Sequence, residues 1–351
     1  MTVLAGTIAR IGPLDEAAMI AAREREATLT KPPGSLGRLE DLAVQLAGIT
    51  GCARPTVARK AIVVMAGDHG VTAEGVSAYP AAVTPQMVAN FLAGGAAINA
   101  LARTAGARVT VADLGVAAEL PPHAGLLALK VAPGTANAAH GPAMSRAQAL
   151  QAIEAGIAVA EREVAAGLDL VGAGEMGIGN TTAASAIVAA ITGEHPAVVT
   201  GRGTGVDGLA LRRKVGVVRQ MLAINQPDPA DALDVLAKVG GFEIGGLAGL
   251  ILGAAAARVP VVLDGFITAA AALIAVGLCP AVQPYLIAAH RSTEPGHMVA
   301  LTRLGLEPLL DLHLRLGEGS GAALALALVD AAARHLAEMA TFAEAGVANV
   351  E

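Results

Sequence analysis

The 351-residue sequence predicts an α/β protein with a doubly wound, mainly parallel sheet. Short runs of β-branched and apolar residues alternate with glycine-containing loops and long Ala- and Leu-rich segments of helical character. The short runs lack polar alternation, so both faces of the strands are expected to be buried, as a parallel sheet requires. Hydrophobic residues make up 54% of the chain and charged residues 15%, which provides for a large core.

Five runs are predicted strands, and a sixth strand is expected around Val282 to Ala288. In chain order the five are Ala61–Ala66, Arg108–Leu114, Leu168–Gly174, Ala197–Thr200 and Arg258–Asp264. The segments between them are predicted helices. One of these helices begins with a predicted capping box formed by Ser145 and Gln148.

The two ends of the chain are predicted to form a small helical domain. Two helices are expected between Leu14 and Ile49, separated at Lys31–Gly37, where two prolines and two glycines rule out a continuous helix. A last helix is expected at about Ser320–Gly346, and no predicted strand lies beside these three. The predicted division is therefore N-terminal helices at 1–50, an α/β domain at 51–315, and a C-terminal helix at 316–351 that completes the small domain.

The composition favours a cytoplasmic enzyme. The longest uncharged run, Gly265 to Ala289, contains two prolines and a glutamine and lacks basic or aromatic flanks, so no membrane span is expected. The net charge of −6 and the lack of basic blocks argue against nucleic acid as a partner. Cys52 and Cys279 match no redox or metal spacing, and the N-terminus has no signal-peptide pattern.

Polar residues concentrate in six short segments that follow predicted strands. Open α/β sheets bind ligands at the carboxyl ends of their strands, so we expect the six segments to share one cleft. The segments are Gly67–Val71, Asp113–Val116, Gly174–Thr182, Gly201–Gly205, Asp264–Phe266 and His290–His297.

Two of these segments have the features of an anion site. GEMGIGNTT combines glycines that permit a backbone nest with an Asn and two Thr that begin a helix, and GRGTG adds a second glycine loop. Phosphate is the expected anion, and tight turns alone are the other interpretation. Neither loop has Walker A or dinucleotide spacing. The candidate anion-binding residues are Gly177, Gly179, Asn180, Thr181, Thr182, Arg202, Gly203 and Lys214.

No metal site is predicted. His290 and His297 lie seven residues apart with Pro295 and Gly296 between them, which is not the i, i+4 helical spacing of a zinc site. A serine hydrolase is also not favoured, because Ser320 lacks the G-x-S-x-G elbow.

Glu318 stands between two glycines, directly before an uncharged segment of helical character. One interpretation is an acid in the first turn that complements the helix dipole. The other is a base directed into a pocket. Position and neighbours alone leave both open.

Ten segments between about Lys31 and Ala325, taken together and in order, resemble the nicotinate-nucleotide–dimethylbenzimidazole phosphoribosyltransferase family of cobalamin lower-ligand assembly. Of these, GEMGIGNTT and LGEGSGA are specific, whereas glycine loops alone are not. The segments are KPPGSLGRLE, GDHGV, GTAN, GPAM, GEMGIGNTTAAS, GRGTG, GFEIGGLAG, LDGF, AHRSTEPGH and LGEGSGAALA.

The resemblance implies a reaction, a fold and an assembly. Nicotinate mononucleotide would give its ribose phosphate to 5,6-dimethylbenzimidazole, with inversion at C1′, producing α-ribazole 5′-phosphate and nicotinate. The fold would be a Rossmann-like domain that binds nucleotide and base, plus a small helical domain from both termini, in a homodimer. No cofactor is implied, since a pyridinium leaving group needs no general acid and usually no metal.

The resemblance also implies two catalytic carboxylates. Glu318 matches the family's catalytic Glu and is expected to accept the proton that the azole loses as its other nitrogen attacks C1′. Glu175 is the candidate for contacting ribose or stabilising an oxocarbenium-like transition state, and turn structure is its other interpretation.

The dimethylbenzimidazole is expected to occupy a flat apolar slot, although each candidate residue is also compatible with a core position. The candidates are Tyr79, Pro80, Met176 and Leu316, with Gln86 as a polar contact. The sequence leaves open the roles of Asp68, His69, His290, Arg291 and Glu294. Two alternatives also stay open: the same transfer to adenine, another benzimidazole or a phenol, and a non-catalytic nucleotide-binding protein.

Overall fold

The computed structural model describes residues 2–348, in which six strands form one sheet with every neighbouring pair parallel. The sheet order is β3-β2-β1-β4-β5-β6, so the chain winds outward from β1 in one direction and then in the other. This confirms the doubly wound α/β prediction. The strands are β1 (Lys60–Gly67), β2 (Ala107–Gly115), β3 (Leu126–Ala128), β4 (Leu170–Met176), β5 (Val261–Leu263) and β6 (Leu286–Ala288).

Helices cover both faces of the sheet, and two short 3₁₀ segments, Gly70–Glu74 and Pro280–Tyr285, connect elements. The helices within residues 2–348 are α1 (Val3–Ile8), α2 (Glu16–Glu26), α3 (Arg38–Thr50), α4 (Val83–Leu92), α5 (Ala97–Ala105), α6 (Arg146–Ala165), α7 (Asn180–Thr192), α8 (Pro196–Val199), α9 (Gly208–Asn225), α10 (Ala232–Val239), α11 (Phe242–Ala256), α12 (Phe266–Leu278), α13 (Pro295–Leu304), α14 (Ser320–Glu338) and α15 (Phe342–Ala345).

The central strand β1 shows why its sequence lacks polar alternation. All eight of its residues are buried. Ala61, Val63 and Met65 pack into the hydrophobic cluster that contains α6, α11 and α12. The residues between them point to the opposite face, where Ile62 and Val64 pack with residues of α3, α5 and α14. Because successive side chains of a strand alternate between faces, two covered faces require an unbroken apolar run.

The terminal helices lie on that second face. Helices α2, α3 and α14 contact one another, and Arg25 donates hydrogen bonds to the carbonyls of Leu336 (2.6 Å) and Met339 (2.9 Å) at the end of α14. The Lys60–Asp330 ion pair, 2.7 Å long, joins α14 to β1. By contrast, α1 packs on α6 and α11. The division at 1–50, 51–315 and 316–351 stays a prediction, and its residues 1 and 349–351 lie outside the described residues.

Two helical predictions are confirmed. Helices α2 and α3 occupy the segment from Leu14 to Ile49 and are separated at the proline- and glycine-containing loop. At the start of α6, the Ser145 hydroxyl accepts the Gln148 N–H (3.2 Å), and the Gln148 side chain accepts the Ser145 N–H (2.9 Å). The predicted last helix is two helices, α14 and α15, separated at residues 339–341.

The predicted strand Ala197–Thr200 is wrong, because Pro196–Val199 forms the short helix α8. Pro196 occupies the first turn, where its fixed φ and missing N–H favour a helix start, and the His195 ring accepts the Ala197 N–H (3.2 Å). The sequence also missed β3, a partly exposed edge strand of three residues without a β-branched side chain. Both errors lie outside the four central strands, β2, β1, β4 and β5.

The uncharged run Gly265 to Ala289 is divided among α12, a 3₁₀ segment and β6. Within residues 2–348, no helix combines the length and apolar character needed to cross a bilayer.

Candidate active site

A cavity of about 540 Å³ lies at the carboxyl ends of β4, β5 and β6. Its walls come from the loops that follow these three strands, from helix α4, from the Gly203–Thr204 turn and from residues 315–318. The neighbouring strands β1 and β4 are where the winding of the sheet changes direction. The cavity is therefore at the position where doubly wound sheets bind ligands.

Glu318 reaches this cavity from a left-handed turn. Gly317, Glu318 and Gly319 have φ angles of 87°, 63° and 87°, a region that glycine adopts freely and glutamate rarely does. The Glu318 N–H donates to the Glu175 carbonyl (3.2 Å), and the Glu318 carboxylate accepts the Ile98 N–H at the start of α5 (3.3 Å). A Cβ at Gly174 would lie 2.6 Å from the Glu318 carbonyl oxygen, so the turn rests directly on β4.

Asp264, which follows β5, holds the start of α14. Its Oδ1 accepts the N–H groups of Gly321 (2.6 Å) and Ala322 (3.0 Å), and its Oδ2 accepts the Gly319 N–H (3.2 Å). Burial raises the pKa of Asp264, opposed by nearby His290 and by these amides. Gly319 at the N-cap position offers no side chain, and the Asp264 carboxylate takes that role.

Glu175, at the end of β4, lies beside Glu318 in the cavity wall. Burial raises the pKa of Glu175 to about 8, and the carboxylates of Asp264, Glu243 and Glu318 add to the effect. The Asn180 amide donates a hydrogen bond to Glu175 and opposes the rise. Burial also raises the pKa of the Glu318 carboxyl, which is 6% exposed. Several acids around one cavity favour a ligand with positive charge at its centre.

A cation lies behind another part of the cavity wall. Lys214 is fully buried, and its Nζ donates to the Thr181 hydroxyl (2.7 Å) on the cavity wall. Burial lowers the pKa of Lys214 to about 8, and the Glu294 carboxylate opposes that shift. The Gly203 N–H donates to Glu294 (2.8 Å), and a Cβ at Gly203 would lie 2.7 Å from the Thr181 hydroxyl. An ammonium and a hydroxyl thus meet beside the Gly203 turn, whose N–H is taken by Glu294, and this pair of groups is suited to binding an anion.

The structure brings most of the predicted site residues to this cavity. The predicted residues that line it are Tyr79, Glu175, Met176, Gly177, Asn180, Thr181, Gly203, Leu316 and Glu318. Those that do not line it are Pro80, Gln86, Gly179, Thr182, Arg202 and Lys214. Lys214 acts from behind Thr181, whereas Arg202 donates to the Val206 carbonyl (2.7 Å) of its own loop.

Apolar side chains surround the mouth of the cavity. Tyr79 and Leu316 are 56% and 58% exposed there, and Val83 and Met87 of α4 line the wall. Gln86 lies one position before Met87 and is exposed. Val83 and Met87 are four residues apart and share one helix face, a spacing by which the sequence could have shown them. Other lining residues that the sequence reasoning did not propose as contacts are Asp264, Phe266, Ser292 and Arg315.

Two of the residues with open roles, Asp68 and His69, make contacts within the protein. The Asp68 carboxylate accepts the Ala117 N–H (2.8 Å). His69 Nε2 lies 2.6 Å from the Glu243 carboxylate in a buried pair. Neither side chain lines the cavity wall.

The other three residues with open roles lie on the cavity or near its mouth. His290 and Glu294 line the cavity, and Arg291 is exposed, with its guanidinium 3.7 Å from Asp311. Across residues 2–348, no three His, Cys, Asp or Glu side chains are grouped as metal ligands. The expectation of a metal-free and cofactor-free site stays a prediction.

Comparison with known proteins shows which family of proteins this chain resembles. Residues 11–347 match a family model described as "Phosphoribosyltransferase". Relatives named nicotinate-nucleotide–dimethylbenzimidazole phosphoribosyltransferase include one from Roseiflexus sp. (strain RS-1), 64% identical over 99% of this chain and 98% of the relative. Another, from Chloroflexus aggregans, is 62% identical over the same shares of each chain.

A solved structure supports the same relationship. The crystal structure of CobT from Thermus thermophilus matches with a TM-score of 0.92 and 52% identity, covering 95% of this chain and 100% of that chain. The similarity therefore extends over the sheet, the terminal helices and the cavity together. This chain belongs to the nicotinate-nucleotide–dimethylbenzimidazole phosphoribosyltransferase family.

Proposed function

We propose that this protein transfers the phosphoribosyl group of nicotinate mononucleotide to 5,6-dimethylbenzimidazole. One nitrogen of the benzimidazole forms a bond to C1′ as the C1′–nitrogen bond of the nucleotide breaks. The electron pair of the broken bond returns to the pyridinium nitrogen, so nicotinate leaves without a proton. The proton on the other benzimidazole nitrogen must go to a base, and the products are α-ribazole 5′-phosphate and nicotinate.

The observation that carries this proposal is the placement of Glu318. A rare left-handed backbone brings a nearly buried carboxylate into a cavity with apolar side chains at its mouth. Burial raises the pKa of Glu318, which makes it a better proton acceptor than an exposed glutamate. The azole proton becomes strongly acidic only as the C1′ bond forms, so this one carboxylate is sufficient as a base.

Glu175 and the anion-binding groups have complementary roles in the proposal. Glu175 lies next to Glu318 and would stabilise the positive charge that develops on the ribose as the glycosidic bond lengthens. Thr181, Lys214 and the Gly203 loop would hold the phosphate. Arg202 would support that loop through its bond to Val206 rather than contact phosphate directly.

The test mixes purified protein with nicotinate mononucleotide and dimethylbenzimidazole, without added metal, and measures nicotinate by chromatography. We expect nicotinate to appear only when the base is present, in equal amount to α-ribazole 5′-phosphate. Parallel reactions with adenine, other benzimidazoles and phenol measure the preferred acceptor. Nucleotide binding without nicotinate release from any base would instead support the non-catalytic alternative.

We also propose that the protein is a cytoplasmic homodimer, as the family resemblance implied. Exposed apolar side chains on one protomer, among them Leu209, Leu312 and Val198, are available for a contact between copies. Cys52 and Cys279 are both unpaired thiols, which fits a reducing compartment. Light scattering on the purified protein would give the mass of a dimer, and a monomer mass across micromolar concentrations would overturn the assembly.

A further inference from the structure

We propose that Asp264 is a positioning residue for Glu318, acting through the backbone of the Gly317–Gly319 turn and the first turn of α14. The inference rests on the proposed function, in which Glu318 accepts the proton. Asp264 directly follows β5, whereas Glu318 lies 54 positions later in the chain, so only the fold brings them together. The carboxylate of Asp264 is 2% exposed, and both of its oxygens accept backbone N–H groups.

The hydrogen bonds of Asp264 are made on the C-terminal side of the catalytic glutamate. The Gly319 N–H, 3.2 Å from Asp264 Oδ2, belongs to the peptide bond that joins Glu318 to Gly319. The orientation of that peptide plane helps to define ψ of Glu318. The bonds from Gly321 (2.6 Å) and Ala322 (3.0 Å) hold the start of α14 in the same place. Asp264 therefore restrains the backbone that carries Glu318, without contacting the side chain that reacts.

Glu318 needs this restraint because its backbone conformation is intrinsically unfavourable. Its φ of 63° is in the left-handed region, where the Cβ of a glutamate crowds the neighbouring backbone. A glycine has no Cβ and adopts this region without that crowding. The Glu318 N–H bond to the Glu175 carbonyl (3.2 Å) fixes the other side of the turn. If Asp264 is removed, the Gly319 N–H loses its acceptor and the turn loses its side-chain anchor on the C-terminal side, so that it can relax toward commoner backbone angles. The carboxylate would then leave the position that it occupies beside Glu175.

The neighbours of Asp264 support a dedicated role in the site. His290 Nε2 lies 3.8 Å from Asp264 Oδ1, and the His290 ring packs against the α14 backbone at Gly321. A side chain at Gly321 would collide with that ring. The carboxylate is thus enclosed by a histidine, a helix start and the cavity, with its two oxygens directed at the backbone amides.

The experiment compares Asp264→Ala and Asp264→Asn with wild-type protein by steady-state nicotinate release, with KM for nicotinate mononucleotide and Tm measured on the same preparations. We expect Asp264→Ala to lower kcat by about 100-fold with KM changed less than about threefold, since a displaced group mainly loses transition-state contact. Asp264→Asn keeps one acceptor oxygen but faces the Gly319 N–H with an amide, so it should lower kcat by about tenfold.

A matched control separates positioning from loss of a helix cap. Asp231 caps α10, accepting the N–H groups of Leu233 and Asp234 (both 3.1 Å), and does not line the cavity. Asp231→Ala should lower Tm and leave kcat unchanged. A second comparison places Asp264→Ala in a Glu318→Gln background, measured by end-point nicotinate release at high enzyme concentration. There it should lower the remaining rate by less than about threefold, because the group that it positions is already gone.

Two results would overturn the inference. One is a folded Asp264→Ala protein whose kcat stays within about twofold of wild type, and the other is an equal loss with and without Glu318. If Asp264→Ala does not fold, the same comparisons are made with Asp264→Asn, where an unchanged kcat is equally decisive. Wild-type protein that releases no base-dependent nicotinate would instead overturn the proposed function, so the two failures are distinguishable.

Discussion

At the residue scale, Glu175 in the cavity wall and Lys214 behind Thr181 have pKa values that are shifted in opposite directions to nearly the same value. Burial raises the pKa of Glu175 to about 8 and lowers that of Lys214 to about 8. In the proposed reaction Glu175 must be ionised to stabilise positive charge, and Lys214 must be protonated to bind phosphate. The fraction of free enzyme with both groups in the required form is therefore largest near pH 8.

We accordingly predict a bell-shaped dependence of kcat/KM on pH with its maximum near pH 8, because kcat/KM reports the free enzyme. It should fall on the acid side as Glu175 becomes protonated and on the basic side as Lys214 loses its proton. Initial rates of nicotinate release from about pH 6.5 to about pH 9.5 measure it. Glu175→Gln should move the acid limb to lower pH, where protonation of the Glu318 base limits the rate, and an acid limb left at the wild-type pH would assign it to a group other than Glu175.

The sequence predicted these residues by type but not by environment. Glu318 and Glu175 were recognisable from LGEGSGA and GEMGIGNTT, and both line the cavity. Burial raises both pKa values, the charge of Asp264 in the loop after β5 adds to both, and Glu243 of α11 adds to that of Glu175. Such a sum of burial and charge is a property of the folded chain, so a single motif cannot give it.

At the scale of elements, the turn before α14 depends on left-handed backbone. We predict that Gly319→Ala lowers kcat by at least about tenfold, since its φ of 87° disfavours a side chain by ~1–2 kcal/mol and its new Cβ would lie 2.8 Å from Ile62. Gly346→Ala is the matched control, with a φ of 62° and no neighbouring atom within 4 Å. It should reduce stability alone, and equal losses of kcat in both variants would contradict the prediction.

Helices α7 and α9 meet at the proposed phosphate site through the Thr181–Lys214 bond of 2.7 Å. We predict that Lys214→Ala raises the dissociation constant of nicotinate mononucleotide by about tenfold or more, because hydrogen bonds to charged groups contribute ~1.5–3 kcal/mol. Titration calorimetry with the nucleotide alone measures this. The control Lys238→Ala removes an ammonium that pairs with Asp234 (2.8 Å) outside the cavity. If nucleotide binding were weakened equally in both variants, a specific contact between Lys214 and phosphate would be contradicted.

Helices and strands were predicted correctly where the apolar pattern in the sequence was long, and predictions failed where that pattern was short. The run Ala61–Ala66 predicted β1 because burial on both faces leaves a clear apolar signature. Ala197–Thr200 has the same kind of composition, yet Pro196 begins a helix there. On α4 the sequence predicted Gln86 as a contact, because it is a polar residue in an apolar chain. In the structure, Val83 and Met87 line the cavity and Gln86 is exposed. Short apolar runs do not distinguish a strand from a helix turn.

At the scale of the whole molecule, the buried acids of the site reduce stability. The pKa of Glu175 rises from 4.5 to about 8 on folding, so the folded state holds a proton that the unfolded state releases between these values. Stability contributed by Glu175 is thus fully present below pH 4.5 and is lost as the pH rises toward 8. The site is maintained at a cost to the fold.

We therefore predict that Glu175→Gln raises Tm by several degrees at pH 8, with little change at pH 4.5, while lowering activity. A glutamine removes the buried charge and keeps an acceptor for the Asn180 amide. Thermal unfolding at the two pH values measures the difference. The control Glu119→Gln alters a carboxylate that is 94% exposed and should change Tm at neither pH. A Tm for Glu175→Gln below that of wild type at pH 8 would contradict a destabilising charge on Glu175.

The doubly wound sheet could be predicted from the sequence because alternating apolar runs and helices allow few other arrangements. The convergence of loops from β4, β5 and β6 on one cavity followed from the same rule about strand ends. The expectation that six segments share one cleft was wrong for Gly67–Val71 and Asp113–Val116, which do not line the cavity, and Gly201–Gly205 follows a helix rather than a strand. What could not be predicted is the detailed path of the loops, such as the turn that places Glu318 against Gly174. That path depends on contacts between residues more than a hundred positions apart.

The central claim is that Glu318 accepts the benzimidazole proton, and its most direct test is the kinetics of Glu318→Gln. A glutamine keeps the shape of the side chain and its bond to the Ile98 N–H but accepts a proton poorly. We predict a kcat lowered by about 10²–10⁴-fold, the range for loss of a general base, with nicotinate mononucleotide bound within about threefold of wild type. A folded Glu318→Gln protein with the kcat of wild type would contradict the claim.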